Sequence, residues 1–173
     1  MIVLLMATNI IPITWSSFKE AVDSIEEQLV AVGFAPEVII GVARGGLPLA
    51  VTLCHRLKIS IDGFGVISVK RHSTDDVKAH LDKPILLGRM TPTDLRQKKV
   101  LVAEDTVGTG MTINSIVELL EAWGVTDCRV ACLFQDQASV HTVPVHAVSS
   151  GLRRITNRSV GSRRAKKSRL SLR

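Results

Sequence analysis

The chain contains no tyrosine, and only 3% of its 173 residues are Phe or Trp. No aromatic residue follows Phe134, so nothing near the C-terminal end supplies a flat platform for stacking. Cysteine is scarce and odd in number: Cys54, Cys128 and Cys132 have no metal-type spacing. The five histidines, His55, His72, His80, His141 and His146, are scattered and complete no zinc pattern. A disulfide scaffold is excluded, and reduced thiols in a cytoplasmic protein are expected. Long apolar runs are also missing. Met1 to Met6 is apolar but six residues long and follows no basic stretch, too short for a secretory core or a bilayer span. An edge strand is the expected use of that segment. There is no internal repeat and no G-x-x-x-x-G-K-[ST] phosphate loop.

One absence is local. Residues 151–173 hold no acidic residue but nine basic ones: Arg153, Arg154, Arg158, Arg163, Arg164, Lys166, Lys167, Arg169 and Arg173. The other 13 of the 22 basic residues and all 16 acidic ones lie in residues 1–150, a net charge of −3. The overall +6 and the pI near 9.6 therefore describe the tail and not the body. A run of like charge reads as a disordered extension. The chain as a whole is 46% hydrophobic, enough for one globular domain over 1–150.

Periodicity orders that domain. Phe18, Val22, Ile25, Leu29 and Val32 step by four and three, one face of a helix, with Ser17 and Glu20 as its capping box and Gly33 at its end. Glu37 to Ala43 is a continuous β-branched run, the pattern of a strand covered on both faces. The Gly45-Gly46 turn and Pro48 open a second helix with Ala50, Leu53, Cys54 and Leu57 inward. Gly63 to Lys70 reads as a second strand, and residues 71–97 as a long polar loop with one apolar patch at Ile85-Leu86-Leu87. Lys99 to Glu104 gives a third strand, Ile113 to Leu120 a helix closed by Gly124, Arg129 to Phe134 a fourth strand and Val143 to Val148 a fifth. Alternation of this kind defines an open α/β sheet whose ligand site lies at the carboxyl ends of the strands.

The chemistry concentrates in Val100 to Thr112. Four apolar residues deliver Glu104 and Asp105 to a strand end, and Thr106-Val107-Gly108-Thr109-Gly110-Met111-Thr112 turns into a helix. Backbone N–H groups at such a turn form an anion cradle, and the threonine hydroxyls add donors. Carboxylates beside a phosphate cradle face sugar hydroxyls or a divalent cation. Together they describe a site for a phosphorylated sugar held with Mg²⁺.

This segment resembles the phosphoribosyl-pyrophosphate (PRPP) motif of the type I phosphoribosyltransferases: a hydrophobic strand, an acidic pair, then a turn closing in Thr-Gly-x-Thr. Pro36-Glu-Val-Ile-Ile-Gly-Val-Ala-Arg-Gly-Gly-Leu-Pro-Leu-Ala50 is similar to the first half of the purine branch, xanthine–guanine phosphoribosyltransferase-like proteins among them. The resemblance implies an open parallel-sheet fold with a flexible loop at residues 71–97 and an atypical C-terminal hood. It places Glu104 and Asp105 on the ribose hydroxyls, Asp105 also on Mg²⁺, and the turn Thr106 to Thr112 around the 5′-phosphate. Arg44, Gly45 and Gly46 take the pyrophosphate loop, where the family often holds a non-proline cis peptide. Lys70 takes a basic position near the pyrophosphate. Catalysis falls to Glu104, Asp105, Arg44 and Lys70, with PRPP and a nucleobase as partners in a homodimer, no membrane, and nucleic acid only through the basic tail.

Two departures set the competing expectation. Gly108 stands where the purine enzymes carry an aspartate for proton transfer at the base, work that glycine cannot perform. The hood aromatic is missing as well. The expected function is transfer of a phosphoribosyl group to a nucleobase, a 6-oxopurine, in nucleotide salvage. Its alternative is a non-catalytic PRPP- or nucleotide-sensing module that binds RNA or DNA through the basic tail.

Overall fold

The computed structural model describes residues 2–4, 11–72, 80–90, 92, 94–136 and 147–148. The basic tail at 151–173 and most of the fifth strand expected at 143–148 lie outside the described residues.

In chain order the elements are β1 (Ile2–Leu4), β2 (Ile11–Ile13), α1 (Trp15–Ala31), β3 (Val38–Ala43), α2 (Leu47–Arg56), a 3₁₀ turn (Ile61–Gly63) and β4 (Phe64–His72). Then come β5 (His80–Met90), β6 (Lys99–Val107), α3 (Met111–Ala122), β7 (Asp127–Gln135) and β8 (Ala147–Val148). Six strands form one sheet in the order β5-β4-β3-β6-β7-β8. β4, β3, β6, β7 and β8 run parallel, and β5 is antiparallel to β4. This is the α/β fold expected from the alternation, with a mostly parallel sheet.

The apolar start forms the expected edge strand: β1 pairs antiparallel with β2 in a separate two-stranded sheet. Two expectations are corrected. Helix α1 begins earlier than Ser17, because Thr14 caps it. The Thr14 Oγ1 accepts the Ser17 N–H at 3.1 Å, and the Thr14 N–H donates to Ser17 Oγ at 3.0 Å. Two hydroxyl residues thus form the reciprocal box that Ser17 and Glu20 were expected to form. The stretch 71–97 is not structureless, since β5 supplies eleven of its residues.

The helices divide between the two faces of the sheet. Phe18, Ala21, Val22, Ile25 and Leu29 of α1 pack with Leu49, Ala50 and Leu53 of α2 over Ile39, Leu101 and Leu133. On the opposite face Ile113, Ile116 and Leu120 of α3 cover Ile40, Val42, Val100, Val102 and Val130. Strands buried on both sides carry no alternation, which is why β3 and β6 read as unbroken apolar runs. Each fully buried Leu or Ile contributes about 1.5–3 kcal/mol.

Glu37 sets the register at the amino end. Its carboxylate accepts the Lys99 N–H at 3.1 Å and the Lys98 ammonium at 2.9 Å, while its own N–H donates to the Lys99 carbonyl at 2.9 Å. Val38 consequently aligns with Val100. Gly41, in mid-strand, lets α2 approach: a Cβ there would lie 2.9 Å from both the Ala50 Cβ and the Leu47 Cδ2. Gly41→Ala is expected to cost about 1–3 kcal/mol through overpacking, read as a lower midpoint in thermal or urea unfolding.

Candidate active site

Strand order reverses between β3 and β6. From β3 the chain passes through α2 on one face to β4, its neighbour on one side. β6 lies on the other side of β3 and continues into α3 on the opposite face. Two adjacent parallel strands whose connections leave in opposite directions open a crevice beyond their carboxyl ends. The β3–α2 turn (Arg44, Gly45, Gly46) and the β6–α3 turn (Gly108, Thr109, Gly110) form the two walls of that crevice.

The two walls touch through the glycines. A Cβ on Gly45 would overlap the Asp105 carboxylate, lying 2.6 Å from its Oδ1. A Cβ on Gly46 would fall 2.9 Å from the Glu104 Cα and 2.9 Å from the Val42 carbonyl oxygen. The Ala43–Arg44 peptide is cis, and Arg44 stands exposed at this turn. Glu104 is buried, and its Oε1 accepts the Asp105 N–H at 3.0 Å. The Asp105 Oδ1 accepts the Thr106 N–H at 2.8 Å. Each carboxylate is therefore oriented by the backbone of the residue after it.

The second wall is built for an anion. Gly110 caps α3 at φ 81°, a left-handed conformation that disfavours any side chain, and no side chain caps the helix. No acidic residue occupies its first turn, so the N–H groups and the positive end of the helix dipole face the crevice uncompensated. The hydroxyls of Thr106 and Thr112 are buried without any hydrogen-bond partner, and Thr112 is only 7% exposed. An unsatisfied buried hydroxyl costs about 1–3 kcal/mol, a deficit that a bound acceptor removes.

The remaining expected residues sort by position. Thr109 and Met111 are exposed at the turn, whereas Val107 sends its side chain into the core. Gly108 has open space around it: a Cβ there would meet nothing within 4 Å. Lys70 is half-buried on β4, two residues beyond the Ser68 that pairs with Ala43, so it stands at the same end of the sheet. Gln135 and Asp136 were not anticipated. Gln135 is buried in register with Val107, and the Asp136 N–H donates to the Val107 carbonyl at 2.9 Å. A polar pair after the apolar run of β7 repeats the Glu-Asp ending of β6, and that repetition was the available signal.

Among the described residues no three His, Cys, Asp or Glu side chains gather to hold a metal. Two adjacent carboxylates suit Mg²⁺ nonetheless, because Mg²⁺ usually takes one or two carboxylates and completes its shell with water and substrate phosphates. No helix among the described residues is long and apolar enough to cross a membrane.

This crevice and sheet order coincide with a known domain. Residues 14–159 match the phosphoribosyl transferase domain, and the chain belongs to that family. It is similar to the bifunctional protein PyrR of Citrifermentans bemidjiense, 27% identical over 89% of each chain. It is similar also to the transcriptional regulator GfcR of Methanocella arvoryzae, 25% identical over 75% of this chain and 62% of that one. Among solved structures it resembles the purine phosphoribosyltransferase of Pyrococcus horikoshii, 32% identical with a TM-score of 0.62, over 76% of this chain and 81% of that one.

The site leaves an electrostatic mark on its neighbour. Cys132, paired with Glu104 across β6 and β7, has its thiol pushed up to about 12 by burial and then by the charges of Glu104 and Asp105. Burial raises Cys128 to about 12 and Cys54 to about 11. The folded chain holds thiol protons that the unfolded chain releases near pH 9. These groups therefore withdraw stability as pH climbs from about 9 toward 12. Iodoacetamide at pH 8 is expected to label all three thiols at least about a hundredfold more slowly in the native chain than in urea, measured by mass spectrometry. Fast native labelling of Cys132 would contradict this environment.

Proposed function

We propose that this chain transfers the phosphoribosyl group of PRPP to a nucleobase, a 6-oxopurine, in the presence of Mg²⁺ and with release of pyrophosphate. One observation carries the reading. An acidic pair and an uncapped helix N-terminus with two unpartnered buried hydroxyls face a single crevice at the switch point of the sheet. The anion cradle takes the 5′-phosphate, with Thr106, Thr109 and Thr112 donating hydroxyls and Gly108, Gly110 and Met111 offering backbone. Glu104 and Asp105 accept from the two ribose hydroxyls.

The bond from the anomeric carbon to pyrophosphate breaks as a ring nitrogen of the base bonds to that carbon, and the base loses its proton to solvent. Positive charge grows on the sugar and negative charge on the leaving group. Glu104 and Asp105 lie on the side where the first develops, and Arg44 and Lys70 answer the second. Mg²⁺, held by Asp105 together with the pyrophosphate oxygens, would supply further charge neutralisation to the leaving group. Gly45 and Gly46 let the backbone approach the pyrophosphate. The choice of a purine is supported by the likeness to the Pyrococcus purine enzyme.

PRPP binding with Mg²⁺, measured by calorimetry, is expected to weaken at least about tenfold in Asp105→Asn and in Arg44→Ala, each a lost charge-assisted contact. Gly45→Ala should behave like Asp105→Asn, because the added methyl group displaces the carboxylate. Unchanged affinity in both charge variants would refute the site.

A second reading, a PRPP- or nucleotide-sensing regulator that binds RNA or DNA, is favoured by the bare position at Gly108 and by the likeness to a named transcriptional regulator. Pyrophosphate release from PRPP with hypoxanthine, guanine, xanthine, adenine, uracil and orotate in parallel separates the two. Turnover with any base supports the transferase. No turnover, together with salt-sensitive nucleic-acid binding that disappears on deleting residues 151–173, supports the regulator.

A further inference from the structure

The proposed transfer leaves one proton without an acceptor inside the crevice. When its ring nitrogen bonds to the anomeric carbon, a neutral base must give up an N–H proton. Gly108 has no group to take it. Glu104 and Asp105 are oriented by their neighbouring backbone N–H groups and are committed to the ribose. The sheet order shows where an acceptor has to stand. Arg44 follows β3 and Lys70 lies on β4, so the pyrophosphate leaves on that side of β6. The nucleophile enters opposite the leaving group, and the opposite neighbour of β6 is β7. The base therefore lies over the carboxyl end of β7.

Asp136 stands there. Its N–H donates to the carbonyl of the Val107–Gly108 peptide at 2.9 Å, which continues the β6–β7 ladder one residue past the pair of Gln135 with Val107. Neighbouring strands lie about 4.8 Å apart, so the Asp136 backbone is one strand spacing from Gly108. No atom lies within 4 Å of where a Gly108 Cβ would stand, so that side of the turn has space for a ligand. On its outer side β7 pairs with β8 only at Ala131 and Cys132, and among the described residues no strand flanks it further on. Asp136 is half-buried, at the border of sheet and solvent. Among the described residues this end of β7 carries no other carboxylate and no histidine.

We infer that Asp136 is a catalytic residue whose carboxylate receives the N–H proton of the nucleobase. The inference rests on the transferase reading above. The lone pair of the attacking nitrogen forms the bond to the anomeric carbon, and the electrons of the broken C–O bond depart with pyrophosphate. The N–H electrons return to the ring of the base, which stays neutral. The proton passes to an Asp136 carboxylate oxygen and from there to water. A proton acceptor is thus supplied by the strand beside β6 and not by the turn that follows β6. Its substrates are heterocycles that carry an ionisable ring N–H.

Steady-state turnover of the full chain with Mg²⁺, PRPP and the base it uses fastest tests this. Asp136→Asn keeps the side-chain shape and the backbone bond to Val107, and is expected to lower kcat about a hundredfold or more. Its PRPP affinity, measured by calorimetry, should stay within about twofold of the unmodified chain. Adding Gly108→Asp to Asp136→Asn should regain at least about tenfold in kcat, because it returns a carboxylate to the same space from the neighbouring strand. Circular dichroism checks that each variant is folded, and Asp136→Ser replaces Asp136→Asn if the latter does not fold. A kcat that Asp136→Asn leaves unchanged overturns the inference while the transferase reading stands. So does a matching loss of PRPP affinity, which would put Asp136 in the sugar-phosphate site, or a loss of kcat that Gly108→Asp does not restore. An unmodified chain that turns over no base overturns the transferase reading and this inference with it.

Discussion

The turn after β3 rests directly on the end of β6, and this is possible only because Gly45 and Gly46 carry no side chains. Three things follow from that contact. Helix α2 starts close enough to the sheet for Leu49, Ala50 and Leu53 to be fully buried. The carboxylate of Asp105 is confined between its own backbone and the opposite wall. The crevice between the diverging turns is held at a width set by bare backbone, so it does not depend on the rotamers of long side chains. Packing and site geometry are here one constraint, since the residues that make the core dense are adjacent to those that present the charges.

A second theme is the separation of the two ends of the sheet. At the amino ends Glu37 engages both Lys98 and the backbone of Lys99, so polar groups there are matched within the chain. At the carboxyl ends two hydroxyls and a helix terminus are left without partners. A fold that satisfies its polar groups at one end and leaves them open at the other concentrates ligand affinity where the strands point. The acidic pair reaches further into the core by adding to burial in raising the affinity of the Cys132 thiol for its proton.

The parts of this arrangement that were legible in the sequence are those governed by local chemistry. β6 and its turn announce themselves because a buried strand ending in Glu104-Asp105 and followed by Thr109-Gly110-x-Thr112 has few other uses. β3 and α2 were readable from an unbroken apolar run and the Gly-Gly-x-Pro signal. β5 was not, because it is exposed along its final six residues and so carries no alternation to detect; Pro84 and Gly88 also read as breakers. The α1 boundary was displaced by three residues because Thr14 and Ser17 make a box from two hydroxyls, and a glutamate happened to lie three positions beyond the second. Pairing partners lie far apart in the chain, so the sheet order and the switch point between β3 and β6 became visible only in three dimensions.

Gly108 has a different kind of consequence. It sits in the turn beside the acidic pair, no atom lies within 4 Å of where its Cβ would stand, and its backbone is not in the left-handed region. A side chain therefore enters this position without a clash at its first atom. Most sites near a crevice couple function to stability, so that a gain in one is opposed by a loss in the other. Here that opposition is weak, because steric packing does not resist a side chain at residue 108. Related chains can then gain or lose an acid at this point in a single substitution while keeping the same scaffold.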